Sequence, residues 1–169
     1  MKPTIRHLSY CHPFSGYAIL KLFEQTAIGN FSSSPGTIYP ALNRLQKFEL
    51  VKKNIQDKNG KTCFEITTNG ILILKNWFLK PVEKIDVVKK TDELVLRFSF
   101  MGTLIEKEQK INFLTSFRDL LNVYIKELQV FYNKESNNMP LHGTLAFQLG
   151  IDSNKANLKW CKKAISQLA

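Results

Sequence analysis

Between Ser34 and Lys47 the apolar residues Ile38, Leu42 and Leu45 recur at intervals of four and three, which gathers them on one side of a helix. Gly36, Thr37, Pro40, Asn43, Arg44 and Lys47 fall on the other side. Ser34 suits an N-cap and Pro35 a first helical residue, so the helix is predicted to start there. The period then changes to two. Leu50–Ile55 and Lys61–Thr67 read as short strands with Val51, Ile55, Phe64 and Ile66 at alternating positions, and Asn59-Gly60 between them tolerates the positive φ of a hairpin turn. Upstream, Ser15-Gly16-Tyr17 opens a helix carrying Ile19, Leu22 and Phe23 on one side, the first half of a helix-turn-helix with a long connection through Thr26–Ser33. Thr67 or Thr68 caps a further helix through Ile71, Leu72, Leu74, Trp77 and Phe78, so apolar that burial on more than one side is expected. Lys80-Pro81 ends it.

Beyond a lysine-rich connection, Thr91 or Asp92 caps a helix around Leu94–Phe100. From Glu106 to Tyr132 the residues Ile111, Leu114, Phe117, Leu121, Tyr124, Leu128 and Phe131 recur every three or four positions, the spacing of a helix packed lengthwise on another. The heptads are too few for a free-standing coiled coil. The last helix, with Leu141, Leu145, Leu158, Cys161, Ile165 and Leu168, supplies the partner from within the chain or from a second chain, and Asn133–Pro140 is the intervening loop. The expected fold is therefore mainly α with a small β-hairpin wing: a winged helix-turn-helix domain over 1–80, a linker over 81–90, and an all-helical dimerisation domain over 91–169. Ile111, Leu114, Leu121, Leu128 and Phe131 are the expected dimer interface.

Composition narrows the function. The 169 residues are 44% hydrophobic with a formal net charge of +10, enough for one sizeable domain or two small ones. Eleven basic residues stand against four acidic ones in 1–80, and thirteen against ten in 81–169. An excess concentrated on the first domain suits contact with phosphates, although solvated lysines alone account for many basic chains. Three cysteines without C-x-x-C spacing suggest neither a disulfide framework nor zinc, and His7, His12 and His142 form no ligand cluster. No metal or cofactor is expected. No apolar run approaches a membrane span and no signal core opens the chain, so a cytoplasmic protein without membrane contact is expected. No nucleophile–base pair, carboxylate pair or phosphate loop stands at a usable spacing, which argues against an enzyme.

The polar side of the 34–47 helix carries the most specific chemistry. Asn43 and Arg44 bear the bidentate groups that read adenine and guanine edges. Lys47 suits a phosphate, and Lys58 and Lys61 flank the hairpin tip as position-insensitive charges. Tyr17, beside a helix N-terminus, reads equally as a phosphate contact or as a core tyrosine.

The segments Ser15-Gly16-Tyr17-Ala18-Ile19-Leu20, Ser34–Leu45 and Thr67-Thr68-Asn69-Gly70 resemble the PadR family of bacterial transcriptional regulators. The Gly-x-Ile-Tyr-Pro element is the most specific, since a proline inside a predicted helix removes a backbone bond. Leu94–Phe100 and Gly150–Ile165 resemble that family's helical C-terminal dimerisation domain. One departure is Lys61-Thr62-Cys63-Phe64-Glu65, where the family usually has arginines and aromatic pairs. The resemblance implies a dimeric, sequence-specific repressor on an inverted-repeat operator of double-stranded DNA. It makes Thr37, Tyr39, Asn43 and Arg44 groove-facing, with Tyr39 on phosphate or sugar. It also implies a small hydrophobic effector, for which Phe113, Phe117, Tyr124, Phe147 and Trp160 are candidates; packing explains the same aromatics. The alternative function is a winged-helix adaptor that binds protein and no DNA.

Overall fold

Pro35 opens the second helix behind Ser34, whose extended backbone (φ −71°, ψ 145°) and carbonyl receive the amides of Thr37 and Ile38 at 3.0 and 3.1 Å. The Ser34 hydroxyl pairs with that of Thr37 at 2.9 Å, and Ser34 starts the helix without a side-chain cap bond. The computed structural model describes residues 14–24, 34–55 and 62–169. They divide into two units, one up to Trp77 and one over Phe78–Ala169.

The first unit runs β1 (Phe14–Ser15), α1 (Gly16–Glu24), α2 (Pro35–Lys47), β2 (Val51–Ile55), β3 (Thr62–Ile66) and α3 (Thr68–Phe78), the last helix crossing the division. The sheet is antiparallel in the order β1-β3-β2, with Val51 opposite Ile66, Lys53 opposite Phe64 and Ile55 opposite Thr62. The third strand, β1, adds Ser15 opposite Cys63, an element the sequence pattern does not announce. Ile38 and Leu42 of α2 pack with Phe64 of β3, joined by Ile19 and Val51. Leu45, expected on the same stripe, is exposed, because it belongs to the turn where α2 leaves the sheet.

That exit explains the Thr67–Gly70 motif. Glu49 takes the left-handed position (φ 57°) and the amides of Glu49 and Leu50 return to the carbonyls of Gln46 and Leu45, a Schellman ending that usually uses glycine. Thr67 then fastens α3 onto it. Its hydroxyl donates to the Glu49 carbonyl at 2.7 Å, its amide donates to the Leu50 carbonyl at 3.0 Å, and its Oγ1 accepts the Gly70 amide at 3.0 Å. A Cβ on Gly70 would lie 2.1 Å from the Leu50 carbonyl oxygen, so only glycine permits this approach. On the other side of α3, Leu72 and Ile73 are exposed, so this side does not share the burial expected on more than one side of the helix.

The second unit contains α4 (Lys84–Lys89), α5 (Thr91–Phe100), α6 (Lys107–Glu135) and, after a single 3₁₀ turn at Ser136–Asn138, α7 (Leu141–Leu168). Residues 81–90, expected as a linker, hold α4, which a Glu83–Asp86 capping box starts and which buries Val87. Helices α6 and α7 pack along their length, with Lys107 Nζ bonding the Ala169 carbonyl at 2.8 Å where the two ends meet. The three-and-four spacing of α6 thus finds its partner in the same chain. Leu114 and Leu121 are 0% exposed in the single chain, and having no surface to give a second chain they are core, which corrects their assignment to a dimer interface. Ile111 and Leu128 are half-buried, and Phe131 is exposed.

Arg97 of α5 is buried in this unit. Its Nη2 donates to the carbonyls of Phe78, at 2.9 Å, and of Lys80, while its guanidinium lies 4.8 Å from the centre of the Phe113 ring. The carbonyls at the end of α3 lack helical partners, and Arg97 supplies them. Burial lowers its pKa, opposed by Asp86 and Glu93, and a guanidinium stays charged there at neutral pH. Among the described residues no helix is long and apolar enough to cross a membrane, and no cluster of His, Cys, Asp and Glu could hold a metal.

Candidate nucleic-acid interface

Burying Ile38 and Leu42 against the sheet turns the other side of α2 outward. Thr37, Tyr39, Asn43, Arg44 and Lys47 are all exposed there, and α2 contains no acidic residue. Pro40 stands on this outer side and has no N–H for the Gly36 carbonyl, which water can reach in its place. Tyr39 is held from beneath: a Cβ on Gly16 would come within 2.6 Å of its ring, so the ring rests on the first residue of α1, a seat only glycine leaves open. Tyr17 is 60% exposed with the Lys21 ammonium 5.6 Å from its ring centre, so it is not the core tyrosine of the alternative reading. Lys58 and Lys61, expected at the wing tip, lie outside the described residues.

The residues from α1, α2 and the sheet enclose an open hollow of about 580 Å³, with Phe64 and Gly16 in its lining and Tyr17, Tyr39, Asn43 and Lys53 around it. Lys53 was not among the sequence-level candidates. The available signal was its register, since it alternates with Val51 in a strand whose inward positions should be apolar.

The five aromatics expected at an effector pocket each have their own packing contacts. Phe117 is fully buried, Phe113 lies under Arg97, Phe147 stacks on Phe131 and Tyr132 at 5.4 and 5.8 Å, and Trp160 meets Phe98 edge-on at 5.5 Å. Tyr124 is half-buried. These contacts agree with the packing reading of the same aromatics. Cys161 is fully buried, and burial pushes its thiol up to about 12 against the opposing charge of Arg118, which leaves it unreactive at neutral pH.

Two helices followed by an antiparallel hairpin, with the second helix split into a buried and a polar face, define a winged helix-turn-helix protein. Residues 5–76 match the profile described as the transcriptional regulator PadR-like family. The match covers 72 of the 169 residues, the winged-helix portion of the chain. It is 24% identical over 115 residues, 68% of this chain and 52% of the relative, to the transcriptional regulator YqjI of Escherichia coli (strain K12). The same figures hold for an uncharacterized protein, YqjI, of Shigella flexneri. The chain spans about half the length of these curated relatives. Among solved structures it is similar to the PadR-like transcriptional regulator BC1756 from Bacillus cereus, with a TM-score of 0.43, 24% identity, and 97% and 94% of the two chains covered. It is also similar to Bacillus subtilis PadR in complex with operator DNA, with a TM-score of 0.42, 19% identity, and 98% and 96% covered.

Proposed function

We propose that this chain is a dimeric, cytoplasmic regulator that binds an inverted-repeat DNA operator through the outer face of α2 and acts as a repressor by occupying it. The observation that carries the reading is the division of α2. Ile38 and Leu42 are 8% and 6% exposed, while the opposite side presents an amide, a guanidinium, an ammonium and a phenol with no carboxylate among them. In this reading Asn43 and Arg44 meet base edges in the major groove, Tyr39 and Lys47 hold phosphate or sugar, and Thr37 lines the approach. Tyr17 and the wing lysines Lys58 and Lys61 contribute backbone contacts that set affinity rather than sequence preference.

For the dimer, the supporting feature is an apolar row on α7. Leu141, Leu145 and Leu149 stand four residues apart, about two-thirds exposed, and Val130 and Phe131 on α6 are exposed as well. A twofold dimer through this row would carry two reading heads, matching an inverted repeat with half-sites about one helical turn or a multiple apart. No effector enters this reading.

Titrating purified protein onto sheared genomic DNA at several salt concentrations tests it. Neutralising phosphates releases counterions, so the expected result is an affinity that falls steeply with salt, together with enrichment of particular fragments. Absence of duplex binding at low salt would leave the protein-binding adaptor as the better account.

A further inference from the structure

Strand β2 has two chemically distinct sides. Lys52 and Asn54 point to one, where both meet Glu65: Lys52 Nζ lies 3.2 Å from its carboxylate and Asn54 Nδ2 donates to it at 2.9 Å. Val51 and Lys53 point to the other. Directly opposed residues of an antiparallel pair share a side, and the partners here are Ile66 and Phe64, the side that packs against α2. Lys53 therefore occupies an inward register position, one step beyond the core formed by Ile38, Leu42 and Phe64. An apolar residue there would extend that core. A lysine stands there instead, in the lining of the hollow between the sheet, α1 and α2.

The surroundings of that lysine fit one kind of ligand. The hollow is lined by Ser15, Tyr17, Tyr39, Asn43 and Thr62, neutral residues able to donate hydrogen bonds, and among the described residues by no Asp or Glu. Among the described residues Lys53 forms no ion pair, whereas its neighbour Lys52 does. One cation ringed by neutral donors suits a singly charged group rich in acceptor oxygens, as a phosphodiester is. The hollow opens beside Asn43, on the side of α2 assigned to the groove.

We propose that this hollow is a socket for a backbone phosphate of the bound duplex, with Lys53 as its charge and Tyr39, seated on Gly16, as a neutral donor beside it. The proposal rests on the DNA-binding reading and deepens it: the socket anchors the backbone that flanks the bases met by Asn43 and Arg44, and so fixes the depth at which α2 enters the groove. Lys53 is a positioning contact and carries no base preference of its own.

The test compares Lys53→Gln with Lys52→Gln in the full chain, on a mixed-sequence duplex and on a duplex enriched from genomic DNA, across several salt concentrations. Lys53→Gln is expected to lower affinity for both duplexes by a similar factor and to make the salt slope shallower by about one unit. Lys53→Arg should restore the slope, and Lys52→Gln, whose ammonium is held by Glu65 on the other side, should leave it unchanged. An unaltered slope in Lys53→Gln, or an equal loss in Lys52→Gln, overturns the socket while wild-type binding keeps the DNA reading intact. A wild-type protein that binds no duplex overturns both. Inorganic phosphate at matched ionic strength is a further probe: competition with the duplex that disappears in Lys53→Gln would assign the hollow to a small phosphorylated ligand and overturn the backbone assignment.

Discussion

The two units bury their cores to different depths. Every described side chain with less than 2% of its surface exposed belongs to the second unit, among them Phe78, Leu94, Leu114, Phe117 and Leu121, whereas the deepest described apolar residues of the first unit, Leu42, Leu20 and Cys63, keep 6%, 7% and 7%. The exposed faces differ in the opposite sense. The first unit turns Thr37, Asn43, Arg44 and Lys47 to solvent, and the second turns out Leu141, Leu145 and Leu149. A helix that must reach into a groove can spend only one side on its core, and one short helix on a small sheet hides little apolar surface. The long α6–α7 pair needs no such compromise, and its surplus apolar row is available to a second copy of the chain.

The largest effect should come from that row. Replacing Leu145 and Leu149 together by Asp places charges on the face proposed to meet a second copy while leaving the α6–α7 core untouched. The expected outcome is a monomer in sedimentation that has lost about 10²- to 10⁴-fold in operator affinity, the advantage that joining two binding heads confers. A double variant that stays dimeric would move the interface elsewhere.

The difference in core depth is sharpened by one substitution made in both units. Leu121→Ala opens a cavity in a fully buried layer and should cost about 2 to 5 kcal/mol in denaturant unfolding. Leu42→Ala, in a shallower core, should cost near the lower end of that range. If Leu42→Ala cost as much as Leu121→Ala, the first unit would be more tightly built than its exposure indicates.

How far the sequence reveals these features depends on how local their causes are. The start of α2 and its two faces are legible because Ser34-Pro35 and the period of Ile38 and Leu42 act within the helix itself. The alternation of the two hairpin strands is legible for the same reason, through Val51, Phe64 and Ile66. By contrast, β1 is two residues long and exists because Ser15 and Phe14 meet Cys63 and Phe64, nearly fifty positions away. Helix α4 hides one valine, Val87, under a lysine-rich exterior and so reads as a linker. The spacing of α6 announces lengthwise packing, but periodicity cannot say whether the partner helix belongs to the same chain, and only the folded chain shows that Leu114 and Leu121 are filled from within it. Arg97 reads as surface because an arginine is seldom buried, and only the folded chain brings the carbonyls of Phe78 and Lys80 to it. Lys53 lies between these cases: its register is visible in the sequence, but the hollow beside it depends on how α1 and α2 meet the sheet.

The central claim is that the outer face of α2 reads bases, and Arg44→Ala tests it most directly. Arg44 is exposed and lies opposite Ile38 and Leu42, so its loss opens no cavity and the fold should persist. Binding of the variant is measured on a duplex enriched from genomic DNA and on a random duplex at the same salt concentration. The account predicts a loss of about 1 to 3 kcal/mol on the enriched duplex, relaxed preference at one base pair of each half-site, and a much smaller loss on the random duplex. Equal losses on the two, or unchanged affinity with unchanged base preference, would make Arg44 an ordinary surface charge and contradict the assignment of this face.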